Sequence, residues 1–97
     1  MYIVVSHWEA LPGMESEFEA RGRAVREVIR SQPGVKMVEG FRNDDGGIVA
    51  IIGYESREAY DKVVNAAEGP FNRAVTEHKI EECGRWLSSE RGQSVDD

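Results

Sequence analysis

Two histidines, one cysteine and a few aromatic residues supply most of the reactive side chains of this 97-residue chain. His7 and Trp8 close the run "YIVVSHW", just ahead of a Leu-Pro-Gly turn. An imidazole titrates near neutrality, so His7 in a pocket could accept a phenolic proton or hydrogen-bond a carbonyl. At a frayed strand end it would meet solvent or a backbone carbonyl instead, and the residues alone leave both readings open. Tyr54 ends another apolar run, where its hydroxyl either donates into a pocket or reaches water while the ring packs in the core. Phe71 and Trp86 can wall a hydrophobic cavity or simply fill the core. His78 with Glu81 and Glu82 has a loose metal-ligand composition at helical spacing. A solvated helix face accounts for that trio, and no metal site is expected. Cys83 sits beside the same two glutamates, which disfavour a thiolate, so it is not expected to act as a nucleophile.

The bulk composition narrows the function classes. The net charge is −6, with acidic and basic residues interspersed. Without a Lys/Arg cluster the chain is a poor match to a phosphate backbone, and no nucleic-acid partner is expected. A lone cysteine cannot form an internal disulfide, which fits a reducing compartment. No apolar run approaches the ~18 residues that span a bilayer, and no basic segment leads into a signal-type stretch. The expected location is therefore the cytoplasm, with no membrane partner. Neither a Walker-type loop nor a G-x-G-x-x-G run appears, and "DDGG" at 44–47 reads as a turn, not a phosphate cradle.

These residues must be positioned by a small set of elements. Residues 2–9 read as a strand rich in Tyr, Ile and Val. From Met14 to about Ser31 the apolar positions Met14, Phe18, Val25, Val28 and Ile29 form one helical stripe. Glutamates crowd the first turns of that helix and arginines the last, as the helix dipole favours. Gly22 either weakens its middle or lets another group approach closely. "QPG" at 32–34 stops it, and residues 35–43 and 48–56 then read as a hairpin about the Asp-Asp-Gly-Gly turn. Ser56 is placed to cap a helix over 57–67, with a helical stretch resuming after "EGP" at 68–70. Residues 85–90 are the last strand. Residues 1–90 thus read as one domain and 91–97 as a flexible tail.

The order β-α-β-β-α-β predicts an α+β, ferredoxin-like fold: an antiparallel sheet with two helices on one face. A sheet wetted on one side should alternate apolar and polar residues, yet residues 2–5 and 48–52 are apolar on both faces. Something must cover the second face, and the same face of a second copy does so most simply. The expected partner is a homodimer through sheet-on-sheet packing.

The segments "YIVVSHWEALPGMESEFEA", "PGVKMVEGFRN" and "IVAIIGYESREAYDKVV", with a downstream F-x-x-A, resemble the antibiotic biosynthesis monooxygenase family over roughly residues 2–80. The most specific piece is the aromatic–Glu–Ser–x–Glu–Ala–aromatic run at 54–60. The resemblance implies a dimeric α/β barrel with a pocket between sheet and helices in each subunit. It also implies a cofactor-independent monooxygenase acting on a small aromatic or quinol-type ligand, with aromatic pocket walls and no cofactor. Aligned on the family's first strand, His7 would face the pocket as the catalytic group, with Tyr54, Phe71, His78 and Trp86 lining it and Trp8 turned to the dimer interface. The heme-degrading branch carries Asn, Trp and His where this chain has His7, Val63 and about Val75. Heme is therefore only a minor expectation, with His78 as its axial candidate. A non-catalytic dimeric module that binds a small ligand is the other reading.

Overall fold

The computed structural model describes residues 1–96. Strand β1 (Tyr2–Ala10) leads through a Leu-Pro-Gly turn into helix α1 (Glu15–Arg30), and β2 (Val35–Arg42) pairs with β3 (Ile48–Tyr54). A short helix α2 (Arg57–Tyr60) continues as a π-helical segment, Asp61–Asn65, before α3 (Pro70–Glu77), a 3₁₀ turn (Ile80–Glu82) and β4 (Gly84–Gln93). Among the described residues the strands form one sheet in the order β2-β3-β1-β4, antiparallel at every step. The ferredoxin-like expectation is met. No described helix is long and apolar enough to cross a membrane.

The alternation of the central strands decides which residues face the helices. Tyr2, Val4, Trp8 and Ala10 of β1, with Ile48, Ile52 and Tyr54 of β3, pack into one core with Phe18, Val25 and Ile29 of α1. The opposite face carries Ile3, Val5 and His7, in register with Gly53, Ile51 and Val49 of β3. Met37, Glu39 and Phe41 of β2 extend that second face. Val49 is only 3% exposed although no helix packs on it, because His7 and Phe41 flank it in the adjacent strands.

The β2–β3 turn is organised by Asn43, not by the aspartates that follow it. The Asn43 carboxamide oxygen accepts from Asp45 N at 3.0 Å and Gly47 N at 2.9 Å, while Gly46 takes φ +87°. An Asx-type turn of this kind fixes hairpin register. Asn43→Ala is expected to lower stability by about 1–2 kcal/mol, the worth of two partly exposed hydrogen bonds. A urea midpoint indistinguishable from that of the unaltered chain would contradict this role.

Two expectations need correction. The helix expected over 57–67 is α-helical for one turn only, capped by the Ser56 hydroxyl accepting from Ala59 N at 3.2 Å. It then widens, and its closing carbonyls, Val64 O and Ala66 O, are taken by the Asn72 side chain. Residues 91–93, expected to belong to a tail, are instead part of β4. Arg91, Gly92 and Gln93 continue the ladder opposite Val4, Ile3 and Tyr2, Ser94 N donates to Met1 O, and the Arg91 guanidinium lies 5.8 Å from the Tyr60 ring centre. Polar side chains hide this strand from a hydrophobicity pattern, since its backbone and not its side chains holds it. Asp97, the last residue of the expected tail, lies outside the described residues.

Candidate functional site

Between the sheet and helices α1 and α3 lies a narrow cleft of about 60 Å³. Its floor is Ser6 and Trp8 of β1 with Ile48, Ala50 and Ile52 of β3. Helix α1 supplies one wall through Phe18, Gly22, Val25, Arg26 and Ile29, residues that a 3.6-residue repeat brings to one side. Phe71 and Val75 of α3, with Ile80, close the other wall. Trp8 and Phe18 meet with ring centres 6.2 Å apart, tilted by 41°.

Only two described side chains lining this cleft, apart from the Trp8 indole, carry polar groups, and both can donate hydrogen bonds. One is Ser6, whose Oγ accepts the Trp8 indole N–H at 2.9 Å. That bond occupies the hydroxyl as an acceptor and leaves its hydrogen free to donate. Arg26 is the other. Its guanidinium lies in a slot between two glycines: a Cβ on Gly40 would stand 2.6 Å from Arg26 Cζ and Nε, and one on Gly22 3.3 Å from Nη1. Burial, followed by repulsion from Arg23 and Arg30, lowers the Arg26 pKa, while Glu19 and Glu39 act in the opposite direction. An arginine so shifted still carries its charge at neutral pH. Among the described residues no hydrogen bond or ion pair reaches Arg26. Its acidic neighbour Glu19 is instead held by Arg42 through contacts of 2.6–2.8 Å.

The residues singled out from the sequence are not gathered in one place. Phe71 lines the cleft as expected. His7 does not: it is exposed on the opposite face of the sheet, so the expectation that it points under the helices is corrected. Trp8, expected at a dimer interface, is the residue that turns inward, since strand alternation allows only one of this adjacent pair to do so. Tyr54 is completely buried toward the other end of β3, edge-on to Tyr60 with ring centres 5.5 Å apart. Its hydroxyl has no hydrogen-bond partner among the described residues, and burial, then the neighbouring Tyr60, pushes its pKa up. It packs the core and does not line the cleft.

His78 caps the C-terminus of α3, half-buried and not among the residues lining the cleft. Neither histidine is among the described residues that line the cleft. Trp86 stands opposite Trp8 across the β1–β4 ladder, 56% exposed, with its indole N–H on Ser89 Oγ at 2.8 Å. It too lies outside the cleft lining. The Cys83 thiol is buried, which raises its pKa, and its Sγ is 3.5 Å from Ile80 O. No group of three or more His, Cys, Asp or Glu among the described residues is arranged to hold a metal ion. Ser6 and Arg26 were not anticipated as site residues. The available signal was Gly22, whose missing side chain admits the guanidinium one turn further along its own helix.

The family model described as antibiotic biosynthesis monooxygenase matches residues 1–68. Among solved structures, one described as an antibiotic biosynthesis monooxygenase superimposes with a TM-score of 0.77 at 21% identity, covering 98% of this chain and 99% of that one. Rv0793 from Mycobacterium tuberculosis gives a TM-score of 0.79 at 18% identity, with 99% and 96% covered. SnoaB from Streptomyces nogalater, a cofactor-independent oxygenase, gives 0.70 at 20% identity, with 99% and 97% covered. At these identities the likenesses establish the fold. No curated protein sequence matches.

Proposed function

Because this chain belongs to the antibiotic biosynthesis monooxygenase family, we propose that it is a cofactor-independent monooxygenase of a small, electron-rich phenol bound in the cleft beneath α1 and α3. The observation that carries this reading is the lining: aromatic and aliphatic walls with two hydrogen-bond donors among them. The overall reaction converts a phenol and O₂ to a quinone and water. A ring C–H becomes C=O, the phenolic O–H bond is lost, one oxygen atom of O₂ ends on carbon and the other leaves with both hydrogens as water. The substrate supplies all four electrons. The protein's part is to exclude water, hold the ring and keep the reacting carbon beside O₂.

The cleft is small. It has room for a few waters, whereas a cavity that takes a benzene ring is on the order of 150 Å³. A single-ring substrate therefore enters by moving a wall, and half-buried Phe71, on the first turn of α3, is the side chain we assign to that movement. The proposal also includes a homodimer in which the helix-free faces of two sheets, with Ile3, Val5, Ile51 and Phe41, cover one another.

Oxygen uptake with a panel of electron-rich phenols and an anthrone, without added metal or flavin, tests the reading. Uptake above buffer is expected, falling at least about tenfold when Ala50→Phe fills the cleft. The His7→Ala variant should keep its rate within about twofold, because His7 is on the other face of the sheet. A collapse of rate in His7→Ala with an undisturbed Ala50→Phe rate would reverse the assignment of the site.

One feature favours a second reading. Among the described residues no carboxylate or imidazole lines the cleft to act as a base, which suits a module that binds its ligand without oxidising it. Saturable binding with no uptake of oxygen by any phenol would support that reading.

A further inference from the structure

We infer that the cleft selects ligands by charge: it takes aromatic monoanions, ionised phenols or aryl carboxylates, in preference to neutral compounds of the same shape, and Arg26 is the residue that discriminates. The inference rests on the reading of this cleft as the ligand site. The two polar groups of the described lining that are open to a ligand, the Ser6 hydroxyl hydrogen and the Arg26 guanidinium, are donors, and the walls offer no side-chain acceptor other than the already engaged Ser6 oxygen. A neutral amide or alcohol would give the half-buried guanidinium only a weak partner. An anion would pair with it, and the planar fork of arginine matches two oxygens at once.

The arrangement is built into the fold at a cost elsewhere. Gly22 in mid-helix and Gly40 in mid-strand are unfavourable choices for those elements. Both are occupied on their open side by the Arg26 side chain, so they free the space in which it lies. Two other arginines of α1 are differently employed: Arg30 donates to Val38 O at 3.0 Å and pairs with Glu27, and Arg21 pairs with Glu17 at 2.8 Å. Arg26 is turned instead to the cleft, and the carboxylate of nearby Glu19 is held by Arg42. An anionic ligand would supply the partner that the described residues do not. That pairing would also favour the ionised form of a bound phenol, where no base stands among the described lining residues.

Benzoate and benzamide, matched in shape and differing in charge, are the probes. Calorimetric titration of the purified full chain should give benzoate at least about tenfold tighter than benzamide. That preference should fall below about twofold in Arg26→Met and survive in part in Arg26→Lys, with the far-UV circular dichroism of both variants unchanged. With 4-nitrophenol held slightly below its own pKa, binding to the unaltered protein should increase the phenolate absorption band, and Arg26→Met should not. The groups whose charges act on Arg26, Arg23, Arg30, Glu19 and Glu39, remain in place in that comparison. Equal binding of the two probes, a preference that persists in Arg26→Met, or no binding of either probe would overturn the inference. Should Arg26→Met fail to fold, the benzoate-to-benzamide ratio of the unaltered chain and the Arg26→Lys variant decides it. Charge preference without oxygen uptake by any phenol would uphold this inference and overturn the oxygenase reading, so the two fail separately.

Discussion

A Phe41→Asp variant is expected to run as a monomer at concentrations where the proposed homodimer of the unaltered chain would persist. Phe41 is 45% exposed and Met37 37% exposed on the face of the sheet that no helix covers. Half-buried Ile3, Val5 and Ile51 lie beside them, so the patch spans three strands, interrupted on β2 by exposed Glu39. Apolar area of this kind contributes about 25 cal/mol per Å² when removed from water. In a two-fold interface each substitution occurs twice, and an aspartate facing apolar surface loses solvation without gaining a partner. The proposed dimer should therefore weaken at least about a hundredfold, read by sedimentation velocity. The fold should survive, because position 41 is already half in water within the single chain. An unaltered dimer in the variant would show that the second copy sits elsewhere. A monomeric unaltered chain would remove the homodimer from the proposal.

Gly84→Ala is expected to have the largest effect on stability of any single methyl addition. A Cβ at this position would overlap the Phe18 ring and stand 2.9 Å from Glu9 O, one contact with a buried aromatic and one with backbone. Phe18 is 4% exposed and packed against Trp8, so it cannot swing aside without opening the cleft wall. Overpacking of this kind costs about 3 kcal/mol, and for a domain of this size that lowers Tm by roughly 10–20 °C. The control lies in the same strand. A Cβ on Gly92 would meet nothing within 4 Å, and Gly92→Ala should move Tm by no more than about 3 °C. Equal melting temperatures for the two variants would mean that Phe18 is held less tightly than the packing implies.

The fold was legible in the sequence because its governing signals are periodic. The apolar stripe of α1, the turn at 44–47 and the two-sided apolar strands together define the sheet and leave one face uncovered. Which face of β1 turns inward was not legible. Ile3, Val5 and His7 alternate with Tyr2, Val4, Ser6 and Trp8, and both sets contain enough apolar area to be buried. The choice was made by packing: the Trp8 ring reaches Phe18 and its N–H finds Ser6 two residues away, whereas His7 has no such position under the helices. Arg26 was concealed for a different reason. A helical pattern sorts arginine onto the wet face, yet position 26 is four residues from Gly22 and one from Val25, at the edge of the buried stripe. Only the empty space at Gly22 and Gly40 turns its side chain into the cleft. The end of β4 was missed because Arg91, Gly92 and Gln93 have no apolar pattern, their order coming from the ladder with β1.

Isotopic labelling tests the oxygenase claim most directly. Metal-stripped, flavin-free protein is mixed with 2,6-dimethylphenol under oxygen-18 gas, and the quinone and water are examined by mass spectrometry at early times. One labelled atom in the quinone and one in water, with quinone formation lost in Ala50→Phe, is the predicted result. Quinone no faster than in buffer, quinone without label, or equal formation by the cleft-filled variant would contradict it.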